Sequence, residues 1–174
     1  MNKKGFTLIE LMVVIAIIGV LASIIVASLG SAKSNSRDAK RIADTKNIQI
    51  ALSLYYNDNL QYPPLVLSTL LTGGYLSSIP KDPDGSSYHY VALGTNTQGK
   101  CTGSGSSPAV KYHLGALLES PSNAYLNEDS DNAGLSGYYV CGSGSLGIDF
   151  AGNSIDCGEL PGGPPDQCYD MTGN

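Results

Sequence analysis

The feature that most constrains this chain is an uncharged stretch of 22 residues, positions 11–32, near its N terminus. Most of these residues are Leu, Ile, Val and Ala, and as a helix they would extend about 33 Å, close to the thickness of a bilayer core. The apolar side chains cover every face of such a helix rather than one stripe, which disfavours a buried helix of a soluble core. The sequence therefore predicts a helix that spans a membrane.

A cleaved secretory signal is the alternative for this stretch. Lys3 and Lys4 suit its basic start, but the apolar part of a signal peptide has only about 7–15 residues, and the carboxylate of Glu10 has no use there. A carboxylate within an apolar helix costs on the order of 2.5–3.5 kcal/mol unless it finds a partner or stays at the wet interface. Glu10 is therefore a candidate functional residue, and an interfacial position without a function is the alternative.

Residues 3–11, Lys-Lys-Gly-Phe-Thr-Leu-Ile-Glu-Leu, and the apolar run behind them resemble the class III signal of type IV pilins and type II secretion pseudopilins. That pattern is a short basic leader ending in Gly, then Phe, then Glu at the fifth mature position. The resemblance covers residues 1 to about 64 and implies cleavage between Gly5 and Phe6 by a membrane-embedded prepilin peptidase, with N-methylation of Phe6. In a filament, Glu10 could pair with the Phe6 amine of a neighbouring subunit and set the register of assembly.

Residues 33–59 contain neither Pro nor Gly and predict an amphipathic helix that continues the first one. One apolar face is predicted, and Lys40, Arg41 and Asp44 fall away from it. Its members are Ala39, Ala43, Ile50 and Leu54, with Ile48, Leu52 and Tyr55 alongside. The helix would serve half as filament core and half as support for the rest of the chain. For the basic residues, simple solvation or contact with anionic lipid headgroups is the alternative.

The composition changes after this predicted helix. Residues 1–50 carry a net charge of +4 and residues 51–174 a net charge of −9, and all nine Pro and all eleven Tyr lie at or beyond position 55. Turn signals and short apolar runs predict a helix at 65–71 and strands at 88–93, 110–114 and 137–141, followed by a loop-like segment, 142–174. The predicted fold class is α+β, with the long helix packed on a small antiparallel sheet as in pilins. The predicted domains are a leader (1–5), a transmembrane or filament-core helix (6–32), an amphipathic helix (33–59) and an extracytoplasmic body (60–174).

All four cysteines lie in the body, and none forms a C-x-x-C motif that would indicate zinc or redox chemistry. Disulfides outside the cytoplasm are the favoured interpretation, with free thiols as the alternative. Three connectivities are open, of which Cys101–Cys141 and Cys157–Cys168 are favoured. Such bridges would cross-link the C-terminal loops.

His89 and His113 fall in predicted strands, and we interpret them as half-exposed sheet residues because no nucleophile or third ligand accompanies them. Asn127, Asp129 and Asp131 form an oxygen-rich cluster that could hold calcium, as body loops of several pseudopilins do. Positions 133 and 140 are Ala and Val where an EF-hand series would need ligands, so a solvated turn is the alternative. No other cofactor is expected.

The sequence thus predicts a structural subunit of a type IV pilus or a type II secretion pseudopilus, not an enzyme, and no catalytic residue is assigned. The expected partners are further copies in a helical filament, the prepilin peptidase and the assembly machinery. Nucleic acid is not expected, because the acidic body repels phosphate. The expected location is the inner membrane before assembly and a periplasmic or cell-surface filament afterwards.

Two predictions, the side of the membrane on which the body lies and the function, each have an alternative. Five basic residues follow the apolar run within 46 positions of the N terminus, which by the positive-inside rule would place the body in the cytoplasm. The cysteines favour the opposite side, and we follow them. The alternative function is a permanent single-pass anchor that presents an extracytoplasmic binding module.

Overall fold

The computed structural model describes residues 5, 7–64, 67–103, 105–120, 123–127, 138–142 and 168–173, without the side chains of 24–28 and 127. The chain divides into two compact units, Met1–Ser36 and Arg37–Asn174. The boundary between them falls within the first helix, so the predicted boundaries at residues 5, 32 and 59 stay predictions.

The first element is a helix, α1, which runs from Leu8 to Asn59 without interruption. It contains no Pro, the residue that most disfavours the interior of a helix. It ends at the Asn-Asp-Asn segment, residues 57–59, shortly before Pro63 and Pro64, which cannot continue a helix. Within the part of the chain that the structure describes, no helix is both long enough and apolar enough to cross a membrane. The predicted membrane-spanning segment, 6–32, is not supported by that finding and stays a prediction.

Leu60 closes α1 in a backbone conformation that leucine rarely adopts. Its φ is 55°, in the left-handed region, and its N–H donates to the carbonyl of Tyr56 at 2.7 Å, as in an αL helix end. This conformation costs a residue with a Cβ about 1–2 kcal/mol. The side chain is 73% exposed, so packing offsets little of that cost.

We therefore expect Leu60→Gly to raise the free energy of unfolding by up to about 1 kcal/mol, since relief of the strain exceeds the backbone entropy that Gly loses on folding. Leu60→Ala is the matched control, because it keeps the Cβ and should bring no gain. Urea titration of the purified chain measures both variants. Equal stabilities of the Gly and Ala variants would contradict strain at this position.

The body contains four strands: β1 (His89–Gly94), β2 (Ala109–Leu117), β3 (Tyr139–Val140) and β4 (Cys168–Gly173). They form one antiparallel sheet in the order β3-β1-β2-β4. A short helix, α2 (Ser68–Thr72), and a 3-10 turn (Ala124–Asn127) complete the described elements. The predicted α+β class, with a long helix and an antiparallel sheet, is confirmed.

The last strand, β4, was expected to be loop, and that expectation is wrong. β4 pairs with β2 over six residues, from Leu117 opposite Cys168 to Tyr112 opposite Gly173. A Cβ at Gly173 would collide with the ring of Tyr112, which packs edge-on against Tyr62 at 4.7 Å between ring centroids. The strand therefore depends on a close approach of its backbone to the tyrosine core.

One side of α1 and one face of the sheet form the core of the body. Ile48, Leu52 and Tyr55 of α1 are buried in the same cluster as Tyr112 and Leu114 of β2. Ile50 and Leu54, which the sequence placed on the same apolar face, are instead 60% and 52% exposed. The prediction of one shared face is therefore wrong, because residues two positions apart on an α-helix lie about 200° apart, so Ile50 and Leu54 are nearly opposite Ile48 and Leu52.

A disulfide joins Cys101 and Cys141, whose Cα atoms lie 5.4 Å apart. It is one of the two bridges favoured above, and it ties the loop after β1 to the end of β3. Cys168 is also disulfide-bonded, and Cys157, its expected partner, lies outside the described residues. Bridges of this kind restrict the unfolded chain and so stabilise a loop-rich body.

Candidate assembly site

The N-terminal end of α1 is closed by a capping box between Thr7 and Glu10. The Glu10 N–H donates to Oγ1 of Thr7 at 3.3 Å, while Oε2 of Glu10 accepts from the Thr7 N–H and from its hydroxyl, both at 2.8 Å. The reciprocal bonds satisfy two donors that a helix start leaves without partners. The sequence reasoning missed this box, although Thr-x-x-Glu is its known pattern.

The predicted processing site lies directly before this box. Gly5 is exposed, and a Cβ built on it would meet nothing within 4 Å. Phe6, the residue expected to follow the cut, lies outside the described residues. Cleavage between Gly5 and Phe6 and the assembly role of Glu10 therefore stay predictions.

The helix behind Glu10 exposes a large apolar surface. Between Leu8 and Leu21, eleven large apolar side chains are 48% to 73% exposed. Soluble monomers rarely expose a contiguous patch of this kind, because covering it with protein or lipid is strongly favourable. This half of α1 therefore requires a covering surface from outside the chain.

In the body, Arg41 of α1 is the centre of a buried ionic network. Its Nε and Nη2 donate to the two oxygens of Asp82 at 2.6 and 2.9 Å, and its Nη1 donates to Asp38 at 2.8 Å and to Glu119 at 3.0 Å. Arg41 is only 5% exposed. The hydrogen bonds that Arg41 donates to Asp82 are the main cause that raises the pKa of Arg41 above its ordinary value, so the guanidinium stays charged.

Asp38 extends this network to the backbone at the end of β2. It is fully buried and accepts the N–H groups of Glu119 at 2.9 Å and Ser120 at 3.1 Å. Arg37 donates to both carboxylate oxygens of Glu119. Hydrogen bonds from Arg37 and then Arg41 lower the pKa of Glu119 to about 2. One turn of α1 thereby holds two separate segments of the body.

The other charged residues on this half of α1 also contact the body. Lys40 pairs with Asp44 at 2.6 Å and donates to the carbonyl of Lys81, and Asp44 accepts from the hydroxyl of Tyr88 at 2.8 Å. Further along, Lys46 lies 5.2 Å from the centre of the Tyr125 ring, and Asp58 accepts from the Tyr75 hydroxyl. These residues are engaged with the chain itself, which corrects the alternative of simple solvation for Arg37, Lys40, Arg41 and Lys46.

His113 is buried, which corrects the expectation of a half-exposed residue. Its Nε2 lies 2.8 Å from Oδ1 of Asp170 on β4, and both residues are 1% exposed. The ring of His89 packs edge-on against it at 5.8 Å. The sequence reasoning missed Asp170 because it assigned no strand there. The contact joins β2 to the C-terminal strand.

The calcium prediction falls mostly outside the described residues. Asn127 is the last residue of the 3-10 turn, and Asp129 and Asp131 lie beyond what the structure describes. Among the described residues, no group of three or more His, Cys, Asp or Glu is arranged to hold a metal ion. A calcium site at Asn127, Asp129 and Asp131 stays a prediction.

Comparison with known proteins supports the interpretation of the N terminus. Residues 1–26 match the family described as the prokaryotic N-terminal methylation motif. Type II secretion system core protein G of Vibrio cholerae is 38% identical over 107 residues, which cover 53% of this chain and 73% of that protein. The protein of the same name from Klebsiella pneumoniae is 36% identical over 56% of this chain and 80% of its own length. The one from Pseudomonas aeruginosa is 38% identical over 54% and 77%. No solved structure matches the chain.

The unbroken helix with its capped Glu10, its exposed apolar half and the antiparallel sheet define a structural subunit of the pilin class with a prepilin-type start. The likeness to the secretion proteins extends well beyond the N-terminal motif into the body. The chain belongs to the family of type II secretion system core protein G, the pseudopilins.

Proposed function

We propose that this chain is the repeating subunit of a type II secretion pseudopilus and that it polymerises with copies of itself through α1. The observation that carries the proposal is the N-terminal segment. It combines Gly5, a capped carboxylate at Glu10 and an exposed apolar helix surface within the first 21 residues. A helical polymer covers that surface with the helices of neighbouring subunits.

Processing by a prepilin peptidase would prepare this surface. Cleavage after Gly5 removes Lys3 and Lys4 and creates an α-amino group on Phe6, which is charged below a pKa of about 7.7–8.0. The Glu10 carboxylate lies in the first turn of α1, within reach of an amine that arrives from a neighbouring subunit. In the dry interior of a filament, such a pair fixes the register between neighbouring subunits more than it adds to net stability.

Before assembly, the same apolar helix would hold the subunit in the inner membrane, and afterwards the filament would stand in the periplasm. The acidic body would then form the outside of the filament. Like-charged surfaces of this kind keep filaments soluble and repel anionic surfaces such as nucleic acid. The secretion machinery named for the relatives is the assembly partner that we propose for this chain.

Mass spectrometry of filaments isolated from lysed cells tests the proposal. The recovered chain is expected to begin at N-methylated Phe6 and to lack residues 1–5, and this chain should be the main component. An intact Met1 in all recovered protein would contradict it and would favour a permanent membrane anchor with a binding module. The full-length chain from cells without the peptidase is the control.

A further inference from the structure

A cleft of about 570 Å³ lies in the body, between the end of β2 and the turn that precedes β1. One wall is formed by residues 115–119, and the other by Asp84 and residues 86–89. Arg41 and Asp82 also line it. Its volume falls within the range of about 300–1,000 Å³ that is typical of ligand sites in proteins. The body therefore has room for a ligand at this end of the sheet.

The cleft exists because the ladder between β1 and β2 ends before β2 does. The ladder stops at His89 opposite Gly115, whereas β2 continues to Leu117. If β1 extended backwards in the same register, Ser87 would lie opposite Leu117, but Ser87 pairs with Lys81 instead. The last two residues of β2 therefore have no partner strand on this side within the part of the chain that the structure describes.

A strand edge without a partner is a template for a further strand. Successive residues of a strand direct their N–H and C=O groups to alternate sides, so one of the last two residues of β2 directs both groups to the cleft. In strand geometry, residues 115–119 extend about 13 Å, which suits an added segment of about four residues. The other side of β2 is already paired with β4 up to Leu117. The cleft is thus shaped for an extended main chain.

The charges of the cleft favour a basic side chain in that segment. Among the described residues that line it, one is a basic Arg and three are acidic: Arg41, and Asp82, Asp84 and Glu119. Asp82 and Glu119 both bind Arg41. Asp84 is exposed and forms no ion pair within the described residues, and its Oδ1 accepts the N–H of Ser86 at 2.7 Å. This backbone hydrogen bond holds the pKa of Asp84 below its ordinary value, so its carboxylate stays charged.

We infer that the cleft binds an extended segment of a different protein, which adds to the edge of β2 and places a Lys or Arg side chain on Asp84. Neighbouring side chains of such a segment face opposite ways, so an apolar residue beside the basic one would reach Leu117, which is 45% exposed. In this mode of recognition the main chain supplies affinity and the side chains supply specificity.

The source of the segment follows from the composition of this chain. Only three of its ten Lys and Arg residues lie beyond position 50, and most of the others lie on α1, which is helical and not extended. We therefore assign the segment to a different protein rather than to a second copy. The inference concerns the body and does not depend on the proposed assembly through α1.

The first test measures the binding of a fluorescein-labelled peptide, Thr-Val-Lys-Val-Thr, to the purified full-length chain in mild detergent by fluorescence anisotropy. Saturable binding with a Kd below about 1 mM is expected. The same peptide with every amide nitrogen methylated should bind at least about tenfold more weakly, because it cannot donate main-chain hydrogen bonds. Absence of saturable binding, or equal binding of the two peptides, overturns the inference.

The second test removes the charge of the cleft. Asp84→Asn keeps an acceptor for the Ser86 N–H and should weaken the binding of the unmethylated peptide about two- to fivefold, the range for an exposed ion pair. Asp58→Asn is the matched control, because Asp58 is an exposed carboxylate outside the cleft that also accepts one hydrogen bond. It should leave binding unchanged. Wild-type affinity in Asp84→Asn overturns the pairing with Asp84.

Hydrogen exchange followed by mass spectrometry locates the bound peptide. Slower exchange of amides in residues 115–119 is expected, and protection confined to another part of the chain overturns the inference. A second copy in the cleft would appear as dimers that the peptide disperses, and that result overturns the assignment to a different protein. All these measurements use the unassembled subunit, so their failure leaves the proposed function standing.

Discussion

Replacing Arg41 by Met is expected to lower the free energy of unfolding of the body by about 3–5 kcal/mol, the cost of breaking a buried ionic network by removing one partner. The substitution leaves Asp38 and Asp82, which are 0% and 8% exposed, without their shared cation. It also releases Glu119 from one of its two arginines. Met fills a similar volume, so the lower free energy of unfolding would come from buried carboxylates that lack a cation rather than from a cavity.

Urea titration of the purified chain in mild detergent, followed by the near-ultraviolet circular dichroism of the tyrosines, measures this loss. Lys40→Met is the matched control. Lys40 also carries a positive charge and pairs with Asp44, but its side chain is 52% exposed, so its loss should cost no more than about 1 kcal/mol. The loss of stability in Arg41→Lys should fall between those of the other two variants, because Lys keeps the charge without the bidentate contact to Asp82. A loss for Arg41→Met no larger than that for Lys40→Met would refute a supporting role of the network.

Replacing Glu10 by Ala is expected to abolish filaments while leaving the unfolding of the body unchanged. If Glu10 pairs with the Phe6 amine of a neighbour, its removal costs each subunit contact about 3 kcal/mol or more. Every 1.4 kcal/mol is a factor of ten in association, so each contact weakens by about two orders of magnitude. The unfolding of the body should not change, because Glu10 lies in the first turn of α1 and forms its hydrogen bonds there with Thr7.

Thr7→Ala separates the two roles of Glu10. It breaks the same capping box, at a cost of about 1 kcal/mol in helix stability, but it keeps the carboxylate. Filaments isolated from lysed cells, quantified by immunoblot against the membrane-bound subunit, should persist in Thr7→Ala and disappear in Glu10→Ala. Equal losses in the two variants would mean that Glu10 acts through the helix cap alone.

The features that could be predicted from the sequence are those encoded by neighbouring residues. The course of α1, its end near Asn59, and strands β1 and β2 follow from helix propensity, breaking residues and short apolar runs. β4 was not predicted because Cys168–Gly173 contains Asp and Gly, which strands disfavour. The strand forms because six of its residues pair with six residues of β2. Pairing between distant segments produces no pattern in the local sequence.

The same limit applies to the ionic network. Asp38 and Arg41 are three residues apart, a spacing that allows a pair on one helix face. The partners that make Arg41 a buried anchor, Asp82 and Glu119, lie 41 and 78 residues further along the chain. No spacing rule connects positions at that distance, because the fold alone brings them together.

The N-terminal motif, the family resemblance and the helix could be predicted, because each depends on residues a few positions apart. Which side of α1 the body covers depends on contacts between distant parts of the chain. Periodicity places Ile50 and Leu54 nearly opposite Ile48 and Leu52 on the helix, and the sheet buries only the second pair. The physical reason is that burial of a helix face depends on the surface that packs against it, and that surface comes from distant strands.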